Sequence, residues 1–451
     1  MPASPWLTAR SDALRRHPAL AAVLDAFGGG HHPDGPRPTD GAERIREALA
    51  DEVDPDQASL FARRFEVARQ LLGELPGERG ALLLDGLCYR LAEILDGPGP
   101  HALRVRALVD FYASQVPRML HPAGPTVEDH ARSARWNDTV GGLQAALLEG
   151  PSEAGPLRVS LLRGRPRLRC LDARPRTDLL ALAHEEGAVA AVSGGFFLYS
   201  EPDIAPPSRR TDPVGLLVTD GEVVQPPFFA RGALLQGART EVRVVHPAEA
   251  LLDGRPLGPL TRAHAERGPS EVSTALVGTT AIATGRRLPV PLNGAVVRGL
   301  HPEPSWELPG VHSAMGGGPM LVVDGQIAID PASEDFRGSA PPITFSRDET
   351  FDHNLLPRLA AGLLPDGRLV LAAVDGRQLQ TATGLTLRQT ARLLRALGCV
   401  QAVNLDGGSS KRMVLDGRLL DRPTTELVVR GWPTSEPRPV HSAVLLYPEA
   451  P

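Results

Sequence analysis

From residue 56 to about residue 120 the apolar positions recur three and four apart. Phe61, Phe65, Ala68, Leu72 and Leu75 form one stripe. Leu84, Leu87, Leu91, Ile94 and Leu95 form a second after Pro76-Gly77, and Leu108, Phe111, Tyr112 and Val116 a third after Gly97-Pro98-Gly99-Pro100. Such spacing gathers side chains on one face of a helix, and the Pro and Gly pairs between the stripes interrupt it. Three amphipathic helices, and a small α-helical domain within residues 1–150, are therefore expected. Stripes of this kind supply a core; docking of a protein partner is the functional alternative for this region. Ahead of them, residues 28–36 (Gly-Gly-Gly-His-His-Pro-Asp-Gly-Pro) read as a linker or exposed loop. His31 and His32 in that stretch have no further ligand at zinc-site spacing.

After residue 155 the texture changes to short apolar runs, at 157–162, 189–192, 215–218 and 320–323, punctuated by Gly, Pro and Asp-Gly. Asp220-Gly221, Asp324-Gly325, Asp366-Gly367, Asp375-Gly376 and Asp416-Gly417 each adjoin a strand candidate, as turns that need positive φ would. One helix interrupts the strands at 385–397, with Thr386 as N-cap and Gly398 at its end. The order of elements is α+β, not alternating βαβ, with residues 151–451 as the second domain.

Composition narrows the function classes. A chain of 451 residues exceeds one ordinary core, and 42% hydrophobic with 22% charged residues is that of a globular protein. A net charge of -5 lacks the basic footprint of a nucleic-acid binder. Cys88, Cys170 and Cys399 are odd in number and far apart, so neither a disulfide framework nor a metal cluster is expected. No apolar run reaches the length of a membrane span. The first 27 residues mix Arg10, Asp12, Arg15, Arg16 and His17 among apolar residues without an apolar leader core, and the expected location is the cytoplasm.

Three glycine clusters border apolar runs. Asn404-Leu405-Asp406-Gly407-Gly408-Ser409-Ser410 closes one; Ser193-Gly194-Gly195-Phe196-Phe197 closes another; Gly316-Gly317-Gly318-Pro319 opens a third. Glycine lets a backbone approach a ligand and turn its N–H groups toward it, while Asn404, Asp406, Ser409 and Ser410 add side-chain oxygens and an amide. That combination suits an anion flanked by hydroxyls, although tight turns alone would also account for the glycines. Neither Walker spacing nor a Rossmann ribose acid accompanies them.

In order and spacing the clusters resemble the phosphodiester glycosidase family. The resemblance runs from about residue 150 to 448 and is carried by Ser193 to Phe197, by Gly317-Gly318-Pro319-Met320-Leu321-Val322-Val323-Asp324-Gly325, and by Pro357-Arg358-Leu359-Ala360-Ala361-Gly362. Val374-Asp375-Gly376-Arg377, Thr383-Gly384-Leu385-Thr386-Leu387, Asn404 to Ser410, and Arg438-Pro439-Val440 complete it. Ser193 stands where the family has Asn, Leu359 where it has Thr, and His441-Ser442 where it has a small residue and Asn.

The resemblance implies an α+β, mixed-sheet glycosidase-like domain behind the helical one. It also implies hydrolysis of a glycosyl phosphodiester at the glycosidic bond, on a sugar-phosphate or glycan substrate. No cofactor is expected, and no compact ligand spacing points to a metal built from Asp375, Asp406 and one histidine. The alternatives are a module that binds phosphorylated or anionic glycan without turnover, and a phosphodiesterase that cuts P–O. Asp406 is the expected carboxylate and Arg358 the expected phosphate clamp, unless it pairs with a structural carboxylate. Backbone N–H groups of Gly407, Gly408 and Gly317 would add donors. Among the histidines His184, His312, His353 and His441, His353 ranks first as acid or base because it lies five residues before Arg358. Ser193, Gly194, Gly195, Phe196, Gly317, Gly318, Asp375, Arg377, Thr383, Asn404, Gly407, Gly408, Ser409, Ser410 and Arg438 are the expected substrate contacts.

Overall fold

The structure is a computed structural model. It describes residues 40–449 except 54, 76–77, 100, 121–123, 198–212, 214, 226, 228–229, 247–248, 253–254, 266–271, 278–279, 286–299, 302–309, 331–333, 335–353 and 432–436. The linker at 28–36 and His353 lie outside the described residues. The chain divides into two compact units, up to residue 122 and from residue 123.

The first unit is helical. Helices Pro55–Gly73, Glu78–Asp96 and Ala102–Leu120 follow the three stripes, and a short helix, Gly41–Ala48, precedes them. Phe61, Phe65, Leu72, Leu87, Leu91, Leu108, Phe111 and Val116 are buried, as their spacing requires. In the second stripe the buried face is turned by about a residue, so that Leu83 is enclosed while Leu84 and Leu95 stay half-buried. An ion pair, Arg64 to Asp110 at 3.1 Å, is enclosed in this unit. Among the described residues no helix is long and apolar enough to cross a membrane.

The second unit takes in residues 123–150 as well, because the strand Gln144–Ser152 pairs along its whole length with Gly155–Gly164. Its largest sheet has eight strands, ordered Asn137–Asp138, Gln144–Ser152, Gly155–Gly164, Leu369–Val374, Arg358–Leu363, Gln401–Asn404, Met320–Val323, Gln326–Ile327. One five-stranded sheet runs Arg418–Leu419, Met413–Leu415, Ala190–Ser193, Val440–Tyr447, Arg167–Thr177. Another runs Glu222–Gln225, Leu217–Thr219, Ser313–Gly316, Arg231–Gln236, Thr240–Val245. A fourth sheet is built from strands between Glu249–Leu252 and Leu300–His301. Strands and helices segregate as α+β requires. The named strand ladders are antiparallel, the pairing that hairpin connections and Asp-Gly turns favour, and one isolated parallel bridge joins Gln378 to Val429.

Alternation along the central strands divides the packing into layers. Leu359, Ala361 and Leu363 face a core shared with Val192, Leu217, Leu234, Met315, Met320 and Val444 from the neighbouring sheets. Ala360, Val370 and Ala372 face the other way, toward Leu387, Ala391 and Leu394 of the helix Leu387–Ala396. That helix begins in a capping box, with Thr386 and Gln389 each accepting the other's backbone N–H, and is followed by Gly398 at φ +95°. Asp220-Gly221, Asp324-Gly325 and Asp416-Gly417 have positive φ at both positions, the conformation of tight hairpin turns. Asp375-Gly376 departs from this: the left-handed residue there is Arg377, at φ +62°.

Candidate active site

The three glycine clusters, separated by up to two hundred residues of sequence, meet at one corner between the sheets. Gly195 lies so close to Gly316 that a Cβ would sit 2.3 Å from the Gly316 carbonyl oxygen, and a Cβ on Gly317 would sit 2.3 Å from that of Asn404. The Asp406 N–H donates to the Gly194 carbonyl at 3.2 Å, and the Gly318 N–H to that of Asn404 at 2.7 Å. Asn404 returns a side-chain bond, Nδ2 to the Gly318 carbonyl at 3.0 Å, while its buried Oδ1 has no hydrogen-bond partner among the described residues. Glycine is required at these places by contact distance.

Beyond Asp406 the chain makes a short 3-10 turn, Gly408–Ser410. The Ser409 hydroxyl donates to Glu426 Oε1 and accepts from Arg438 Nη1 at 2.8 Å. Arg438 also reaches Glu426 Oε1 at 2.9 Å, and Arg377 Nη1 reaches Oε2 at 3.3 Å. Arg438 lies 5.4 Å from the Phe197 ring centroid, and that ring packs on His441 with centroids 4.1 Å apart. Glu426 and Arg438 keep 21% and 24% of their side-chain surface exposed, so the cluster meets solvent through them.

A second group of charges centres on the buried Lys411, Asp375 and Asp421. Lys411 donates to Asp375, to Asp421 at 2.8 Å and to the Arg422 carbonyl at 3.3 Å, and Arg158 reaches the second Asp375 oxygen at 2.5 Å. The Arg412 N–H donates to the Ser193 hydroxyl at 3.1 Å, which ties this group to the glycine corner. Burial lowers the pKa of the Arg412 guanidinium, with Asp421 and Asp375 opposing. A buried ion group this well paired fixes geometry, because removing any one member leaves another charge unpaired.

The expected site residues distribute as follows. Ser193, Gly194, Gly195, Phe196, Gly317, Gly318, Asn404, Asp406, Gly407 and Gly408 belong to the corner; Arg377, Ser409 and Arg438 belong to the Glu426 cluster. Ser410, within the 3-10 turn, is buried. Asp375 is enclosed in the ion group, with both oxygens engaged. Thr383 donates to the Ala154 carbonyl at 2.9 Å and so holds the 152–156 hairpin.

Arg358 lies on the strand Arg358–Leu363 beside the corner. Its backbone lies against Gly407, but its guanidinium donates to the carbonyls of Leu385 and Asn354, both at 3.1 Å, and the residue is 2% exposed. Strand alternation sends it to the helix-covered face with Ala360. The backbone donors also differ: the Gly317 N–H is used by the Gly232 carbonyl at 2.9 Å and that of Gly408 by Pro357 at 3.0 Å. Only Gly407, of the three expected, makes no such bond among the described residues. His184 and His312 are exposed, whereas His441 is enclosed under Phe197. Among the described residues no three of His, Cys, Asp and Glu come together as metal ligands.

Glu426 and Arg412 were not among the expected residues of this region, nor was Lys411. Lysine is scarce in this chain, and a lone Lys411 directly after the Ser409-Ser410 motif was a signal open to use. Glu426 offered none, since it stands in a segment without helix or strand.

A stretch is 38% identical over 65 residues to the prophage-derived protein YomE of Bacillus subtilis (strain 168), covering 14% of this chain and 10% of that protein. Another is 37% identical over 90 residues to the N-acetylglucosamine-1-phosphodiester alpha-N-acetylglucosaminidase of Mus musculus, covering 20% of this chain and 17% of that enzyme. The matched stretches thus span less than a fifth of either relative. Among solved structures, a hypothetical protein from Synechocystis aligns at TM-score 0.47 and 19% identity, over 70% of this chain and 64% of that one. The catalytic domain of the zebrafish N-acetylglucosamine-1-phosphodiester alpha-N-acetylglucosaminidase aligns at TM-score 0.42 and 15% identity, over 70% and 88%. The phosphodiester glycosidase family model matches residues 186–447, more than half of the chain and the whole of the glycine corner, and the chain belongs to that family.

Proposed function

We propose that the second unit hydrolyses a glycosyl phosphodiester at its glycosidic bond, with Asp406 as the working carboxylate. The observation that carries this reading is the meeting of residues 194–195, 316–318 and 404–410 at one corner, with the Arg438–Ser409–Glu426 cluster one short turn away. When the bond from the anomeric carbon to the phosphate oxygen breaks, its electron pair leaves with the phosphate. The ring gains oxocarbenium character, and a water oxygen forms the new bond. A phosphate monoester leaves readily, so strong protonation of the leaving group is unnecessary and one carboxylate suffices to stabilise the ring or take the water proton. Membership of the family and the mouse relative's stated activity support the substrate class. Arg358, tied to two carbonyls, serves in this reading to position the strand beside Gly407.

Replacing Asp406 with Asn keeps shape and removes charge. Release of sugar from a glycosyl phosphodiester is expected to fall by about 10²–10⁴-fold; full turnover in the variant would remove Asp406 from its role. One observation favours binding without turnover: the Ser193 hydroxyl, standing where the family has Asn, is already engaged by the Arg412 N–H. Calorimetric binding of glycosyl phosphates by an enzyme that leaves them intact would favour that second reading.

A further inference from the structure

The ion group around Lys411 is fully paired at its carboxylates and unpartnered at one cation. Asp421 accepts the Met413 N–H at 2.6 Å through Oδ1 and Lys411 at 2.8 Å through Oδ2. Asp375 accepts Lys411 and, at 3.1 Å, the Arg422 N–H through Oδ1, and Arg158 at 2.5 Å through Oδ2. Arg412 stands outside this pairing. Its Nη1 donates to the Lys411 carbonyl and lies 3.7 Å from Asp421 Oδ2, beyond hydrogen-bond reach. Its Nε and Nη2 have no hydrogen-bond partner among the described residues, although the side chain is only 1% exposed.

Those two donors form the side-on edge of the guanidinium, a pair of parallel N–H groups that matches two oxygens of one carboxylate or phosphate. Buried donors are nearly always bonded in folded proteins, so an unpartnered fork in the interior calls for a ligand. Water would meet the N–H groups without offsetting the charge, whereas an anion does both.

Position narrows the class of anion. Across the ladder the Ser193 N–H donates to the Arg412 carbonyl at 3.2 Å, and the Ser193 hydroxyl accepts the Arg412 N–H at 3.1 Å. That hydroxyl donates to no acceptor among the described residues, so its proton is available. Gly194, the next residue, opens the glycine corner, and the 3-10 turn Gly408–Ser410 ends two residues before Arg412. Arg438, through which the neighbouring cluster meets solvent, is near enough to add to the lowering of the Arg412 pKa that burial begins, with Asp421, Asp375 and Asp178 opposing. The fork therefore stands beside the proposed active site, where the anion of a glycosyl phosphodiester arrives.

We propose that the Nε–Nη2 edge of Arg412, together with the Ser193 hydroxyl, binds the phosphate of the substrate. The inference rests on the glycosyl phosphodiester reading and names its phosphate-binding arginine. A tetrahedral phosphate offers two oxygens to the fork and a third to the hydroxyl, so the group that takes the electron pair of the broken bond is held by charge-assisted bonds.

Titration calorimetry of the full chain with inorganic phosphate at neutral pH, beside a sugar-release assay, tests this. Arg412→Lys keeps the charge and loses the fork; phosphate affinity is expected to fall about ten-fold or more, and KM for the diester to rise. Ser193→Ala removes one donor and is expected to weaken phosphate binding by a smaller factor; it carries the test should Arg412→Lys fail to fold. Unchanged phosphate affinity in every variant that folds would overturn the proposal, as would a lack of phosphate binding by the unaltered protein, since Arg412 would then be a structural cation. Weakened phosphate binding in the variants of a protein that cleaves no glycosyl phosphodiester supports the fork and defeats the hydrolase reading. Cleavage with phosphate affinity and KM the same in the unaltered protein and the variants does the reverse.

Discussion

Gly195 and Gly317 show how distance alone can select a residue. Neither has a left-handed backbone, yet a methyl group at either would fall 2.3 Å from a carbonyl oxygen of a neighbouring cluster. Gly195→Ala is therefore expected to force the corner apart, at a cost of roughly 1–3 kcal/mol or more. A denaturant titration should show a lowered midpoint with little change in slope, while an unchanged midpoint would mean that the corner is loosely packed. Residues of this kind were legible in the sequence because glycine pairs at strand ends are conspicuous. Arg358 was legible as a motif, but the Leu385 and Asn354 carbonyls that its guanidinium meets were not. Which side of a sheet a strand residue faces depends on register, and that of Arg358–Leu363 is set by pairing with Leu369–Val374 and Gln401–Asn404. Glu426 was not legible, since its importance arises only when Arg377 and Arg438 are folded around it.

Among the elements, the helix Leu387–Ala396 was the most readable, with cap and stop both visible before folding. What fastens it was not. Arg392 Nε and Nη2 reach both oxygens of Glu128 at 2.6 Å, and Arg392 Nη1 reaches Glu153 at 2.9 Å, so the helix is tied to Val127–Arg132 and to the turn after Gln144–Ser152. Although burial alone would raise it, the pKa of Glu128 is lowered, chiefly by the bond from Arg392. A carboxylate depressed in the folded state adds stability above its unfolded value of about 4.3, and that stability is lost as pH falls through the folded value. Glu128→Gln is accordingly expected to lower the denaturation midpoint at pH 7 and to make progressively less difference below about pH 4. A gap between the two proteins that stays constant with pH would mean that the pair contributes no charge-dependent stability. Cys88, Cys170 and Cys399 are buried thiols, and burial pushes Cys399 up to about 12.

At the scale of the whole molecule, the helical stripes and the strand texture were enough to separate two kinds of structure. The placement of residues 123–150 was not legible, because Gln144–Ser152 reveals itself as a strand only through its pairing with Gly155–Gly164. The antiparallel sheets bring three short motifs to one corner, and the buried Lys411, Asp375 and Asp421, with Arg158 at their edge, hold the chain beyond Ser410 in place. The proposed chemistry turns on which bond of the substrate is broken there. Hydrolysis of a glycosyl phosphodiester in heavy-oxygen water, followed by mass spectrometry of both products, answers this directly. The heavy oxygen is expected in the released sugar, bound at its anomeric carbon. Its appearance in the phosphate would mean that phosphorus is the centre attacked, and would contradict the glycosidic reading.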